Sequence, residues 1–94
     1  MTEFEWDNAK AESNLKKHAV DFEAASRVFD DVYALDRPDA TMDYGEERFV
    51  ITGMVNGVVL TVAYTERNGC TRIISARKAT AHEEREYYGS QTEE

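Results

Sequence analysis

A concentration of arginines in an otherwise acidic chain is the chemically suggestive feature of this 94-residue sequence. Residues 48–82 carry a net charge of +4 within a chain of formal net charge −8, because Glu66 alone opposes five basic residues: Arg48, Arg67, Arg72, Arg77 and Lys78. Arginine stays charged and can bind a phosphate or a carboxylate through two parallel hydrogen bonds. Neighbouring like charges repel, so such a cluster usually has an anion or an acidic partner. The pattern indicates an anion-binding face, with a merely solvated sheet surface as the alternative.

The elements that carry these arginines are three predicted strands with two tight turns between them. Alternating or β-branched runs cover residues 47–55, 58–66 and 71–77. Asn56-Gly57 and Asn68-Gly69 separate the runs, and Asn-Gly supplies the two positive φ angles of a type I′ hairpin. The sequence therefore predicts a three-stranded antiparallel meander.

Strand parity divides the side chains of the meander between two faces, because successive strand residues point to opposite sides. One face is predicted to form the core, with Phe49, Ile51, Leu60, Val62 and Ile74. The other face is predicted to be open, with Arg48, Thr65, Arg67, Ser75 and Arg77. The same parity places Arg72 on the side of Ile74, away from the other arginines.

The remaining pattern completes an α+β fold in a single domain, 1–94. Asp7 and Asp21 are good N-caps, and Thr80 with Glu83 has the spacing of a capping box. The predicted order is a strand at 3–6, a helix at 8–18, a second helix from 22 to about 30, a short strand at 32–35, a loop at 36–46, the meander, and a helix from about 81 to Tyr88 that Gly89 ends. We expect the helices to cover one face of the sheet and to leave the other partly open.

Several classes of protein are excluded by the same composition. His18 and His82 are far apart and Cys70 is alone, so no metal site or other cofactor is predicted. The glycines are explained by the hairpins rather than by a phosphate-binding loop. No apolar run approaches the roughly 20 residues that span a bilayer, and the acidic N-terminus does not read as a signal peptide. With a single cysteine, these features predict a cytoplasmic protein without a membrane segment.

Several segments taken together resemble the BrnT family of bacterial toxins, over nearly the whole chain from Phe4 to about Tyr88. The resemblance lies in Phe4-Glu5-Trp6-Asp7, Lys10, Asn14, Lys17-His18, Phe22, Ala25, Glu47-Arg48, Arg72-Ile73-Ile74-Ser75-Ala76-Arg77-Lys78-Ala79, Glu83 and Tyr87. It implies a fold similar to that of the RelE family of messenger-RNA ribonucleases. It also implies the toxin of a type II toxin–antitoxin pair, an endoribonuclease that inhibits translation. A BrnA-type antitoxin would neutralise it, and operator DNA would be bound only through that antitoxin.

The implied reaction gives the basic residues specific roles. Metal-independent RNA cleavage needs a base for the ribose 2′-hydroxyl, cations for the phosphorane and an acid for the leaving oxygen. Arg67 and Arg77 are expected at the phosphate, with Arg48 nearby. RNA contacts are expected from Lys17, Thr65, Ser75 and Lys78.

The sequence does not decide which residue is the general base, because each candidate has both a catalytic and a structural interpretation. His18 and Lys10 recur with Asn14 and Lys17 along one helix face, and histidine is a common general acid or base in enzymes. A solvated helix face explains the same spacing. Glu47 would point to the opposite face unless a bulge re-aims it. Tyr64, Tyr87 or Tyr88 could stack on a base, although aromatic residues here also suit a core.

Three positions depart from the family pattern. Ala19 follows His18 where the family usually has glycine, and alanine costs about 1 kcal/mol if the backbone there is left-handed. Cys70 stands in the last hairpin where a polar or basic residue is common. Ala81 follows Thr80 where a basic residue is common. The lost positive charge predicts weaker RNA binding, so this chain could be a weak or silent toxin.

Two other functions are compatible with the sequence. The basic face could belong to a non-catalytic module that holds an acidic partner peptide. A small-molecule enzyme is a third interpretation, which lacks any signal of a deep pocket.

Overall fold

The computed structural model describes residues 3–39 and 46–92. It contains a five-stranded sheet with helices on both faces. The sheet order is β1-β5-β4-β3-β2, with β1 parallel to β5 and all other neighbours antiparallel. This confirms the predicted α+β class. The elements are β1 (Phe4–Glu5), α1 (Asn8–His18), α2 (Phe22–Ser26), β2 (Leu35–Pro38), β3 (Phe49–Val55), β4 (Val58–Arg67), β5 (Cys70–Lys78) and α3 (Ala81–Gly89), with 3-10 turns at Arg27–Asp30 and Ser90–Thr92.

Both hairpins have the predicted geometry. Asn56 and Gly57 have φ angles of 51° and 83°, and Asn68 and Gly69 have 53° and 80°. Two successive positive φ angles are what a type I′ turn requires. These turns set the register of β3 on β4 and of β4 on β5.

The core lies between one face of the sheet and the first two helices. Ile51, Leu60 and Val62 are buried in one cluster with Phe22 and Ala25 of α2, as the strand alternation predicts. Phe49 is half-buried against the same cluster, and its ring stacks on Tyr64 with centroids 5.4 Å apart. Four of the five predicted core residues therefore lie where the pattern places them.

The prediction that Ile74 is the fifth core residue is wrong, because β5 contains a bulge at this position. Tyr64 pairs with Ile73 and Ala63 pairs with Ser75, so Ile74 has no partner on β4. Ile73 is 2% exposed and takes the core position instead.

The bulge also corrects the predicted side of Arg72. Arg72 pairs with Thr65, and Arg77 pairs with Thr61 two rows further along the same face. Arg72, Ser75 and Arg77 therefore share the face opposite the core, because paired residues of neighbouring strands point to the same side.

The strand predicted at 32–35 is wrong in position. Leu35–Pro38 forms β2, paired to β3 at the edge of the sheet, whereas Val32 and Tyr33 are exposed in the preceding turn. The predicted loop therefore begins too early, since Pro38 is tolerated on an edge strand. Residues 40–45 of that loop lie outside the described residues.

The ends of α1 and α2 follow the predicted caps. The Asp7 carboxylate accepts from the amides of Ala9 and Lys10, and that of Asp21 accepts from Ala24. Ala19 adopts the left-handed conformation with φ 60°, and its amide donates to the Leu15 carbonyl. Helix α2 is shorter than predicted, because a 3-10 turn replaces its second half.

The second face of the sheet is less open than predicted, because α3 lies across one end of it. Thr80 and Glu83 form the predicted capping box at the start of α3. Further along, Tyr87 is buried and donates to the Asp31 carboxylate at 2.5 Å. The helix includes Gly89, rather than stopping before it, and a 3-10 turn follows.

Candidate anion-binding face

A bidentate ion pair lies near one end of the face opposite the core, where α3 meets the sheet. Arg77 Nη1 lies 2.8 Å from Glu83 Oε1, and Arg77 Nη2 lies 3.0 Å from Glu83 Oε2. The hydrogen bond from Arg77 is the main cause that lowers the pKa of Glu83 to about 2, and the same bond raises the pKa of Arg77. Both groups are therefore charged throughout the physiological pH range.

Glu83 is the common acceptor of a polar network that crosses four strands and α3. Its Oε1 accepts from the Thr61 hydroxyl at 2.9 Å, and the Thr61 and Thr52 hydroxyls lie 3.1 Å apart. Arg37 Nη2 lies 3.7 Å from Glu83 Oε2, and Arg37 Nη1 donates to Thr52 at 3.4 Å. Arg37 and Arg77 thus approach one carboxylate from two strands, and each keeps 41% of its side chain exposed.

A second group of arginines lies toward the opposite end of the same face. Glu46 accepts from Arg67 at 3.0 Å through Oε1 and pairs with Arg48 at 3.5 Å through Oε2. Arg72 pairs with Glu5 on β1 at 3.3 Å. Each of these arginines is at least one-fifth exposed, so the face keeps positive groups within reach of a ligand.

Small side chains form the floor between the two groups. Val50 pairs with Ala63, and Ala63 pairs with Ser75, in the row next to Thr52, Thr61 and Arg77. Val50 and Ala63 are half-buried and Ser75 is exposed. A row of small residues leaves room for an extended ligand to lie against the sheet between charged walls.

The predicted helix-face residues line a separate groove along α1. Lys10, Lys17 and His18 border a shallow cavity of about 200 Å³ whose far wall is Ile74 and Ser75. Ser75 therefore belongs both to this groove and to the floor of the anion-binding face. The groove brings three of the predicted candidates toward the same edge of β5.

Asn14, which shares the spacing of those helix residues, has a structural role. Its side chain is buried and donates through Nδ2 to the carbonyls of Val20 at 2.9 Å and Ala76 at 2.8 Å. Its Oδ1 accepts from the Ala76 amide at 3.1 Å. The Asn14 amide thus satisfies both backbone groups of Ala76 on β5, as a neighbouring strand would.

Two of the four predicted RNA contacts, Thr65 and Lys78, are presented neither by the anion-binding face nor by the groove along α1. Thr65 is 2% exposed, and its hydroxyl donates to the Glu47 carbonyl at 2.5 Å, so it holds backbone rather than facing a ligand. Lys78 pairs with Leu60 on the core side and borders a different groove beside Leu15. Strand parity alone could not exclude Thr65 as an RNA contact, because the burial of its side chain depends on the segment that precedes β3.

Of the three tyrosines considered for base stacking, Tyr64 and Tyr87 are core residues and Tyr88 is not. Tyr64 is buried and its hydroxyl donates to both carboxylate oxygens of Asp36 at 2.7 Å. Burial and this contact raise the pKa of Tyr64. Burial and Asp31 raise the pKa of Tyr87 to about 12. Tyr88 is 47% exposed and is the one of the three that solvent reaches freely.

Sequence reasoning missed Arg37 and the role of Glu83. Arg37 stood in a predicted loop, although Leu35 and Arg37 share one side of a short alternating run. Glu83 was identified only as a capping residue, and its carboxylate serves both the Thr80 amide and Arg77. The alternation was a usable signal for Arg37, whereas the double use of Glu83 requires the three-dimensional approach of α3.

Residues 3–39 and 46–92 contain neither a metal-ligand cluster nor a membrane-spanning helix. That part of the chain contains no group of three or more His, Cys, Asp or Glu side chains arranged to hold a metal ion. None of its helices combines the length and the apolar character needed to cross a bilayer.

Comparison with known proteins gives one family. A family model described as "Ribonuclease toxin, BrnT, of type II toxin-antitoxin system" matches residues 6–83. That range includes α1, the whole meander and Glu83, and so covers both the groove and the anion-binding face. No curated protein matches the chain.

Proposed function

Because the chain belongs to the BrnT family of ribonuclease toxins of type II toxin–antitoxin systems, we propose that it is a metal-independent endoribonuclease that inhibits translation. The observation that carries this proposal is the convergence of Arg77 and Arg37 on Glu83 beside a floor of small residues. Two guanidinium groups held by one carboxylate are rigid and half-exposed, which suits them to bind a phosphate.

The chemistry assigned to this face is electrostatic. Attack of a ribose 2′-hydroxyl on the adjacent phosphate places extra negative charge on the phosphorane oxygens. Arg77 and Arg37 would stabilise that charge without a metal ion. Glu83 has a pKa of about 2 and is engaged by Arg77, so it acts as a positioning residue rather than as the proton carrier.

Proton transfer is assigned to the groove along α1. Lys10, Lys17 and His18 border it, and Ser75 connects it to the anion-binding face around the edge of β5. An RNA strand that crosses Ser75 would bring a ribose toward α1 while its phosphate stays near Arg77. We propose His18 or Lys10 as the general base, with Lys17 as a backbone contact.

The partner proposed for this toxin is a BrnA-type antitoxin, which would be the only route from the chain to operator DNA. The family description names a type II toxin–antitoxin system, which implies an antitoxin partner. We expect coexpression of a cognate BrnA-type antitoxin to restore growth that the toxin alone arrests.

The reaction class is tested by the products of RNA cleavage. Purified protein is incubated with RNA in excess EDTA, and the 5′ fragments are analysed for 2′,3′-cyclic phosphate ends. The proposal predicts such ends and predicts that one 2′-deoxy substitution at the mapped position prevents cleavage there. Cleavage that requires added metal, or that persists at the deoxy position, would show that the proposed chemistry is wrong.

Activity of this particular chain is tested by induced expression in a bacterial host. Ala81 at the start of α3 lacks the positive charge common in the family, so we expect a weaker arrest than a basic residue would give. Ala81→Arg should deepen the arrest, while Arg77→Ala should abolish it. A folded chain that never slows growth, even as Ala81→Arg, would argue against a toxin.

A non-catalytic acidic-peptide module is the second candidate, favoured by the internal pairing of the face. All five arginines on the face, Arg37, Arg48, Arg67, Arg72 and Arg77, contact carboxylates of their own chain. The same geometry would accept a carboxylate-rich partner. Tight binding of such a peptide without any RNA cleavage would favour this candidate.

A further inference from the structure

The Glu46 carboxylate lies between two arginines as a phosphate would. Arg67 approaches one carboxylate oxygen and Arg48 the other, at 3.0 and 3.5 Å. The hydrogen bond from Arg67 is the main cause that lowers the pKa of Glu46, so the group is ionised at neutral pH. A doubly contacted anionic oxygen pair has the charge and the spacing of two phosphate oxygens.

Hydrogen bonds to β4 and to the residue after β2 hold the segment that follows Glu46 in place. The Thr65 hydroxyl on β4 donates to the Glu47 carbonyl, and the Arg48 carbonyl accepts from the Asp39 amide at 2.8 Å. These contacts fix the backbone of Glu47 and Arg48, the two residues that follow Glu46, without using either guanidinium. The arrangement would therefore persist when the Glu46 side chain turns away.

We propose that Arg48 and Arg67 form a second phosphate subsite for the RNA backbone, which Glu46 occupies in the free protein and which RNA enters by displacing that carboxylate. The inference rests on the proposed function, since it takes the ligand to be RNA. Glu46 then acts as an internal competitor that weakens RNA binding until a phosphate replaces it.

The position of this subsite assigns it to a neighbouring nucleotide rather than to the scissile phosphate. Thr61 stands beside Arg77, and Thr65 stands beneath the Glu46 segment, four residues further along β4. At about 3.3 Å per strand residue, the two places are roughly 13 Å apart. Arg77 and Arg37 would hold the reacting phosphate while Arg48 and Arg67 hold the strand in register.

The subsite is tested by binding of a fluorescein-labelled 2′-O-methyl RNA oligonucleotide, which cannot undergo 2′-hydroxyl attack. Dissociation constants are measured by fluorescence anisotropy for the full chain and for Glu46→Gln. Glu47→Gln is the matched control, because it removes the same charge one residue away. We expect Glu46→Gln to bind about three- to fivefold more tightly than the unmodified chain, the size of one or two exposed ion pairs, and Glu47→Gln to gain less than about twofold.

A second comparison assigns the gain to the arginine pair. In an Arg67→Ala background, Glu46→Gln should bring no further increase in affinity, because the subsite is already incomplete. Equal gains from Glu46→Gln and Glu47→Gln would overturn the inference, since removal of any nearby negative charge would then explain the result. A gain that persists in the Arg67→Ala background would overturn it as well.

The remaining outcomes separate this inference from the proposed function. RNA binding that is unchanged by Glu46→Gln contradicts the subsite alone. No binding by the unmodified chain and by Glu46→Gln contradicts both proposals. Tighter binding of a polyglutamate peptide, with no change for RNA, would assign the arginine pair to an acidic protein partner and overturn the inference.

Discussion

Arg77 on β5 and Glu83 on α3 are joined by two parallel hydrogen bonds of 2.8 and 3.0 Å. Only six positions separate them in the chain, yet the contact fastens the last helix to the sheet face opposite the core. Because Glu83 also accepts from Thr61 and from the Thr80 amide, one carboxylate couples the start of α3 to β4 and β5. The guanidinium that we assign to the phosphate is therefore positioned before any ligand arrives.

The Glu83 contact predicts a loss of stability in acid. A carboxylate with a folded pKa of about 2, against an ordinary value of about 4.3, stabilises the fold above the ordinary value. That contribution is lost as the pH falls from about 5 to about 2. We expect the free energy of unfolding, measured by urea denaturation, to decrease over this range, and to decrease less steeply in Glu83→Gln.

The same variant isolates the contact at neutral pH. Glu83→Gln should lower the free energy of unfolding by about 1–3 kcal/mol at pH 7, because the amide oxygen can accept only one of the two hydrogen bonds from Arg77 and the guanidinium loses its counter-charge. Glu84→Gln removes an exposed carboxylate from the next position of α3 and should leave both stability and its pH slope near the original values. Equal effects from the two variants would contradict the role given to Glu83.

Ala19 predicts a stabilising substitution. Its φ of 60° is left-handed, a conformation that glycine adopts without the steric cost that alanine bears. We expect Ala19→Gly to raise the free energy of unfolding by about 0.5–1 kcal/mol. Ala9→Gly, made within α1 at an ordinary helical φ, should have the opposite sign. A loss of stability in Ala19→Gly would contradict the left-handed cap.

Asn14 predicts a strongly destabilising isosteric change. Asn14→Asp keeps the shape but replaces Nδ2, whose two N–H groups serve the Val20 and Ala76 carbonyls, with one oxygen that can only accept. We expect a loss of about 2–4 kcal/mol in urea denaturation at pH 7, because buried carbonyls are left facing a carboxylate. Ser13→Asp adds the same charge at an exposed neighbouring position and should cost much less. A mild effect at Asn14 would mean that its side chain is not essential to the β5 edge.

Much of this fold is readable from local patterns. Asn-Gly pairs specify both hairpins, Asp7 and Asp21 start the first two helices, and Thr80 with Glu83 starts the third. These signals succeed because each depends on the backbone conformation of a few consecutive residues. Alternation likewise identifies the core side of β3 and β4.

The errors arise where tertiary packing decides. The bulge at Ile74 shifts the parity of β5 and brings Arg72 to the same face as Arg77. The sequence of β5 contains no residue from which this bulge could be predicted. Burial of Thr65 depends on the backbone of Glu47, which is remote in sequence. The candidate site is accordingly half-predictable: Arg48, Arg67, Ser75 and Arg77 follow from strand alternation, whereas Arg37 and the carboxylates that hold these arginines follow from the fold.

The rate of RNA cleavage in EDTA by Arg77 variants tests the central claim most directly. Single-turnover rates are compared for the unmodified chain, Arg77→Lys and Arg77→Ala, with Arg27→Ala as the control because that exposed arginine lies in the 3-10 turn after α2. Circular dichroism confirms that each variant is folded. We predict that Arg77→Ala lowers the rate about a hundredfold or more, that Arg77→Lys recovers part of it, and that Arg27→Ala changes little. Folded Arg77 variants that cleave RNA at the original rate would contradict the assignment of this face to the phosphate.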